Sequence, residues 1–163
     1  PTIAMAMDAT VHAASRRGRR DIAMADFGAG YMTPALEADE LVEAFSIAPW
    51  AAGHGFCFME HARRHGDFAM ASVAVLLQFG ADGVLARVSL TLGGVAPLPL
   101  RVARAEQALL GTRATAADLQ AASTLCGEVQ ASSDSYVPGW YRQRLAGVLA
   151  LRALQTAVQR AQR

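Results

Sequence analysis

The chain comprises 163 residues with a formal net charge of +1; 53% are hydrophobic and 18% charged, which allows one domain or two small units with a real core. Its near-neutral balance is not the clustered basic excess of a nucleic-acid or anionic-membrane binder, and every apolar run stops well short of the roughly 20 residues of a spanning helix, so a soluble chain with no nucleic-acid partner and no membrane span is expected. The only cysteines, Cys57 and Cys126, are far apart among apolar neighbours, which predicts buried thiols in a reducing, cytoplasmic setting rather than a disulfide or metal site.

All 15 basic side chains are arginine, a bias of composition that implies no function. The opening Pro1-Thr2-Ile3-Ala4-Met5 lacks the basic start and small-residue cleavage site of a signal peptide; Pro1 reads as a cut end. Residues 5–14 and 20–27 read as two strands joined by Ser15-Arg16-Arg17-Gly18-Arg19, whose glycine and charged tip signal a hairpin. The tip arginines read first as a solvated turn and second as a docking patch. Gly28, Gly30, Thr33 and Pro34 mark an irregular loop. The run Glu40 to Ile47 resumes extended structure, and Pro49 to Gly55 forms a linker suited to a domain boundary.

From Phe56 the pattern changes. Phe56 to Arg63 reads as a strand, and Ala69 to Leu77, apolar except for Ser72, as one covered on both faces. Gly80-Ala81-Asp82-Gly83 supplies a reversing turn. Val84, Ala86, Val88, Leu90 and Leu92 then alternate with Leu85, Arg87, Ser89 and Thr91, the period of a strand with one buried face. These segments predict a three-stranded antiparallel sheet. The rest reads as three helices. Pro99 opens the first and Gly111 closes it; Thr115 and Asp118 form a capping box for the second. The third follows Pro138, with Tyr141, Leu145, Val148, Leu149, Leu154 and Val158 on an apolar stripe and Arg142, Gln143, Gln155 and Gln159 off it. Three helices over one sheet face give an α+β fold.

No residue set converges on covalent chemistry. His61 and His65 have an i, i+4 spacing, but Gly66 and strand-like flanks argue against a shared metal ion. Cys57 lacks a base and an electropositive pocket. Gly28-Ala29-Gly30 and Gly93-Gly94 are framed as turn or bulge glycines rather than a phosphate-binding loop. Glu37, Asp39, Glu40 and Glu43 read as a solvated loop and strand start rather than an acid/base pair.

A set of short motifs carries a resemblance across almost the entire chain. Met24-Ala25-Asp26-Phe27, Gly30-Tyr31-Met32-Thr33 and Glu40-Leu41-Val42 come first. Gly53-His54-Gly55-Phe56, Arg63-Arg64-His65-Gly66-Asp67-Phe68-Ala69 and Thr91-Leu92-Gly93-Gly94-Val95 follow. The series ends with Pro99-Leu100-Arg101 to Ala105-Glu106, Leu110-Gly111, and Ser133-Asp134 leading to Tyr141-Arg142-Gln143-Arg144-Leu145-Ala146-Gly147-Val148-Leu149. Each is weak alone; their order and spacing resemble the medium, FAD-binding subunit of molybdenum hydroxylases, of the carbon monoxide dehydrogenase flavoprotein type.

The resemblance implies that residues 1–50 end the second lobe of a PCMH-type FAD-binding domain and that residues 54–163 form the family's C-terminal domain of three strands and three helices. The glycine loops that wrap the FAD pyrophosphate in that family, Gly-Gly and Thr-Ile-Gly-Gly, would precede Pro1, so the chain is expected to be the C-terminal part of the subunit. FAD would be held mainly by the remainder of that subunit. Molybdopterin would reside on a large partner subunit and [2Fe-2S] clusters on a small one. The resemblance places the Asp67-Phe68 corner against the isoalloxazine ring and the Leu41-Val42 strand start near the same site. An aromatic face can shield a flavin from water, and an aspartate can fix the loop or influence the ring's potential. A packing role, with Phe68 in the core and Asp67 capping a turn, stands as the alternative. So does a subunit-docking module without flavin, its contact surfaces being the arginine-rich tip and the polar face of the second hairpin strand.

Overall fold

The computed structural model describes residues 1–161. In chain order the elements are α1 (Thr2–Ala6), β1 (Thr10–Ser15), β2 (Gly18–Ala23), α2 (Met24–Phe27), β3 (Gly28–Gly30), β4 (Thr33–Pro34) and β5 (Leu41–Ser46), then β6 (Gly55–His61), β7 (Ala71–Phe79), β8 (Leu85–Gly93), β9 (Leu100–Arg101), α3 (Ala103–Leu109), α4 (Ala116–Gly127) and α5 (Gly139–Ala161). The first half builds an antiparallel sheet in the order β2-β1-β5, and the second builds one in the order β6-β7-β8-β9. The α+β class is as expected.

The strand expected over residues 5–14 begins only at Thr10, because residues 2–6 form a short helix. That helix is fixed by tertiary packing: Ala6 is buried with Trp50, Ala74 and Leu76 on the outer face of the second sheet. The second expected strand likewise ends at Ala23, where the chain turns into α2. The Arg16–Arg17 tip is a tight reversal with Ser15 opposite Gly18.

β7 is buried on both faces from Ala71 to Leu77, as its apolar run indicates. β8 departs from simple alternation. A register shift between Gln78 and Phe79 pairs Phe79 with Leu85, so Leu85 enters the core while Ala86 is exposed. Such a bulge inverts the side-chain phase of a strand. The other face, expected to be polar and wet, is also covered: Ser89 is buried and donates a 2.6 Å hydrogen bond to the carbonyl of Ala6 at the end of α1.

Pro99 does not open a helix. Leu100 and Arg101 pair with Leu92 and Thr91 as a fourth, edge strand, and α3 starts at Ala103. The Glu106 carboxylate accepts from Leu90 N–H at 2.7 Å and from the Arg101 guanidinium, tying α3 to both strands. The Thr115/Asp118 capping box is present: Asp118 N–H donates to Thr115 Oγ1, and Thr115 N–H donates to Asp118 Oδ2 at 2.8 Å. α5 packs on β6 and β7 with a face different from the one its large residues mark. The buried positions are chiefly Ala146, Leu149, Ala150, Ala153, Leu154 and Ala157, whereas Val148 is exposed and Tyr141 and Leu145 are half-buried. Alanines let the helix lie close on the sheet. A Cβ at Gly55 would stand 1.9 Å from the Ala157 carbonyl oxygen.

Candidate functional site

The loop 62–70 joins β6 to β7 and carries the Asp67-Phe68 corner. Met70 N–H donates to the His61 carbonyl, closing the loop at its base. Gly66, at φ +81°, supplies the left-handed turn that most residues avoid. Asp67 N–H then donates to the Arg64 carbonyl, and Phe68 N–H to Asp67 Oδ1 at 2.9 Å. The Asp67 carboxylate also lies 3.8 Å from the Arg63 guanidinium. Asp67 therefore shapes the turn. Phe68 is 96% exposed, which overturns its core reading: the loop holds a bare aromatic ring out into solvent.

Leu41 and Val42 open β5, the edge strand of the first sheet, and are 76% and 37% exposed. Phe45 and Ile47, further along the same run, are also exposed. The structure thus places Leu41 and Val42 on the first sheet and Asp67 and Phe68 on a loop at the end of the second. Both pairs present apolar surface outward, and no hydrogen bond or ion pair joins them among the described residues.

The residues that hold the corner belong to the motifs of the resemblance, which assigns them no role. Arg142 was assigned to the polar side of α5, yet it is buried. Its Nη1 donates to the Met70 carbonyl at 2.7 Å and to the Gly94 carbonyl, and its Nη2 donates to Asp134 Oδ2. Gly94 has φ +73°, and a Cβ there would meet the Ala69 carbonyl oxygen at 2.6 Å; glycine is needed for this close backbone approach. Asp134 Oδ1 accepts from Tyr136 and Val137 N–H, both at 2.8 Å. Those bonds, with Arg142 alongside, hold its carboxyl below the usual range. Tyr136 in turn lies under the Arg63 guanidinium, 5.0 Å from ring centroid to Cζ. The signal that exposes Arg142 is its place at the head of the row Ala146, Leu149, Ala150, Ala153 and Ala157, the small-residue face that is buried; an arginine on such a face must find several acceptors.

The hairpin tip is also not a set of free charges. Arg17 makes two bonds to Asp39 (3.0 and 2.6 Å), Arg20 two to Glu40 (both 2.7 Å), and Arg19 one to Glu43. The acidic stretch read as solvated is the partner of the basic tip. The Arg20 guanidinium, with the Glu37 N–H, holds the Glu40 carboxyl at about 2. On the same sheet, His12 Nδ1 is 2.6 Å from Asp21 Oδ1 and its Nε2 is 2.9 Å from Ser46 Oγ. Carboxylate, imidazole and hydroxyl follow the order of an acyl-transfer triad, but acyl transfer also needs N–H donors converging on an oxyanion. These three side chains stitch β2, β1 and β5 together across the sheet.

Cys57 and Cys126 are buried and unpaired, as expected. Burial pushes the Cys126 thiol up to about 12, so it is a packing residue and not a nucleophile. No group of three His, Cys, Asp or Glu side chains is placed to hold a metal ion among the described residues. Nor is any described helix long and apolar enough to cross a membrane.

Comparison with known proteins matches residues 56–157 to the CO dehydrogenase flavoprotein C-terminal domain and residues 1–50 to the FAD binding domain in molybdopterin dehydrogenase. The carbon monoxide dehydrogenase medium chain of Afipia carboxidovorans is 33% identical over 163 residues, covering 99% of this chain and 56% of the relative. Caffeine dehydrogenase subunit beta of a Pseudomonas species is also 33% identical, over 98% of this chain and 55% of its own. Among solved structures, reconstituted CO dehydrogenase from Oligotropha carboxidovorans superposes with a TM-score of 0.92 at 32% identity, covering 98% of this chain and 56% of that one. Quinoline 2-oxidoreductase from Pseudomonas putida 86 gives 0.90 at 29%, covering 100% and 56%. The chain spans about half the length of the curated relatives it matches. Motif order, sheet topology and these matches agree, and the chain belongs to the family of CO dehydrogenase flavoprotein C-terminal domains.

Proposed function

We propose that the chain is part of the FAD-binding medium subunit of a molybdenum-containing hydroxylase and that its Asp67-Phe68 corner covers one side of the flavin. In this reading residues 1–50 belong to the FAD-binding domain and residues 54–163 to the C-terminal domain. The subunit works in the cytoplasm beside a molybdopterin-binding large subunit and a [2Fe-2S] small subunit. Bound FAD would take electrons from the iron–sulfur clusters and pass them to an acceptor.

The observation that carries the reading is the exposure of Phe68: an aromatic ring held fully out of the core by a hydrogen-bonded turn. Covering that ring would gain about 1.5–3 kcal/mol of burial that the chain alone forgoes. A flat aromatic ligand matches that surface through offset stacking. Leu41 and Val42 fit the same group as apolar wall on the β5 edge. What they do not offer is a phosphate cradle, so these residues fit the ring end of FAD and not its pyrophosphate. Phe68 would exclude water from the ring, and Asp67 would keep the turn that presents it.

The docking reading keeps exposed arginines at the tip, but fewer free charges and less polar strand face than it named. Arg17, Arg19 and Arg20 are already ion-paired within the chain, and Ser89 and Thr91 are buried. The test is Phe68→Ala in the complete, flavin-loaded complex. Greater access of iodide to the flavin and a shifted flavin midpoint potential are expected; a flavin unchanged in both measurements would return the corner to a role in the scaffold.

A further inference from the structure

The corner is anchored at both ends to the segment from Asp134 to Arg142, a short turn and the start of α5. At its start, Arg63 lies over the Tyr136 ring with 5.0 Å from Cζ to centroid, and the same guanidinium faces Asp67 at 3.8 Å. At its end, the Met70 carbonyl accepts from buried Arg142 at 2.7 Å. Tyr136 and Arg142 are themselves joined by one carboxylate, since Asp134 accepts from the Tyr136 N–H and from Arg142 Nη2. The Asp134 N–H donates to the Val137 carbonyl at 3.1 Å, and Val137 is buried, so the turn is seated against the core. The result is a closed circuit running Arg63, Tyr136, Asp134, Arg142, Met70. Phe68 lies on the span from 63 to 70.

The two anchors differ in kind. Arg142 is buried, and its loss would strip Met70 and Gly94 of a donor, so it holds the base of the loop as part of the fold. Tyr136 is 75% exposed and contributes little to the core. Its ring offers the Arg63 cation a face that keeps the side chain over one side of the loop, and from there the guanidinium meets the carboxylate that shapes the Phe68 turn. We propose that Tyr136 is a positioning residue for Phe68, acting through Arg63 and Asp67. The proposal rests on the flavin-cover reading: Tyr136 sets the posture in which Phe68 meets the ring without touching the ring itself.

The test uses the flavin-loaded complex, with iodide quenching of flavin fluorescence and the flavin midpoint potential as readouts. Tyr136→Ala should move both in the same direction as Phe68→Ala, with the held posture about two- to fivefold less populated, as expected for loss of an exposed cation–π contact. Tyr136→Phe keeps the ring and should leave both unchanged. Arg63→Ala should match Tyr136→Ala. In the double variant Phe68→Ala/Tyr136→Ala, no change beyond Phe68→Ala alone is expected, because the residue being positioned is gone. Unchanged thermal stability of Tyr136→Ala would separate positioning from folding. If Phe68→Ala perturbs the flavin and Tyr136→Ala does not, or if their effects simply add, the positioning role is overturned while the flavin cover stands. If neither substitution perturbs the flavin, the cover itself fails and the positioning role goes with it.

Discussion

Glu40 shows how a residue's chemistry depends on partners that lie elsewhere in the chain. Its side chain is 7% exposed, and its carboxylate accepts from Arg20 Nε, Arg20 Nη2 and the N–H of Glu37. These donors favour the ionised form and lower the folded-state value from 4.5 to about 2. A depressed folded value means that the unfolded chain takes up protons first as the pH falls. The Arg20–Glu40 contribution is therefore complete above pH 4.5 and is lost as the pH falls toward 2. Glu40→Gln cannot titrate at this position. The thermal-stability gap between wild type and Glu40→Gln should be widest near neutral pH and should close between pH 4.5 and 2. A gap that stays constant over that interval would contradict the pairing.

At the scale of elements, α5 carries most of the second sheet's cover and is the place to test the packing. Leu154 is fully buried on it, beside Ala150, Ala153 and Ala157. Leu154→Ala should destabilise the chain by about 2–5 kcal/mol, the usual range for a large-to-small change in a core, whereas exposed Val148→Ala should lie within about 0.5 kcal/mol of wild type. Chemical denaturation that gives equal values for the two would place the helix wrongly. The existence of α5, α4 with its capping box, the β6 to β8 meander and the β1–β2 hairpin was legible because each has a local signature. The buried face of α5 was not. Hydrophobicity favours large side chains, but a helix lying close on a sheet buries alanines, and Arg142 enters that face because the acceptors of Met70, Gly94 and Asp134 converge on it. Residues 2–6 were unreadable for the same reason, since their helix is set by contact with β7 and β8. At the site, Asp67 and Phe68 were visible as a corner, and the exposure of Phe68 was not. The Tyr136 brace joins positions 73 residues apart (136 − 63), which no local pattern records.

At the scale of the whole molecule, the two halves are more entangled than the order of their segments suggests. The first sheet has its own small core of Met5, Ala9, Val11, Ala13, Ile22 and Met24, separate from the large core between the second sheet and the helices. The residues just before β1 nevertheless belong to both. Met5 and Ala9 close the small core, while Ala6 packs under β7, accepts from Ser89 and shares a buried cluster with Trp50. Two residues on, Asp8 receives Arg101 Nη1 at 2.6 Å, with Arg87 at 3.5 Å. The stretch from α1 to Asp8 is thus a peg driven from the first half into the second. Its consequence is mechanical: the halves should hold together without the covalent link through residues 51–54. A single proteolytic nick there, in an exposed turn after buried Trp50, should yield two fragments that still migrate as one particle and melt in one step. Fragments that part without denaturant would show that the peg carries no grip. Non-covalent complementation of this kind would make the two halves exchangeable between chains, one supplied as a tagged piece and the other as its untagged complement.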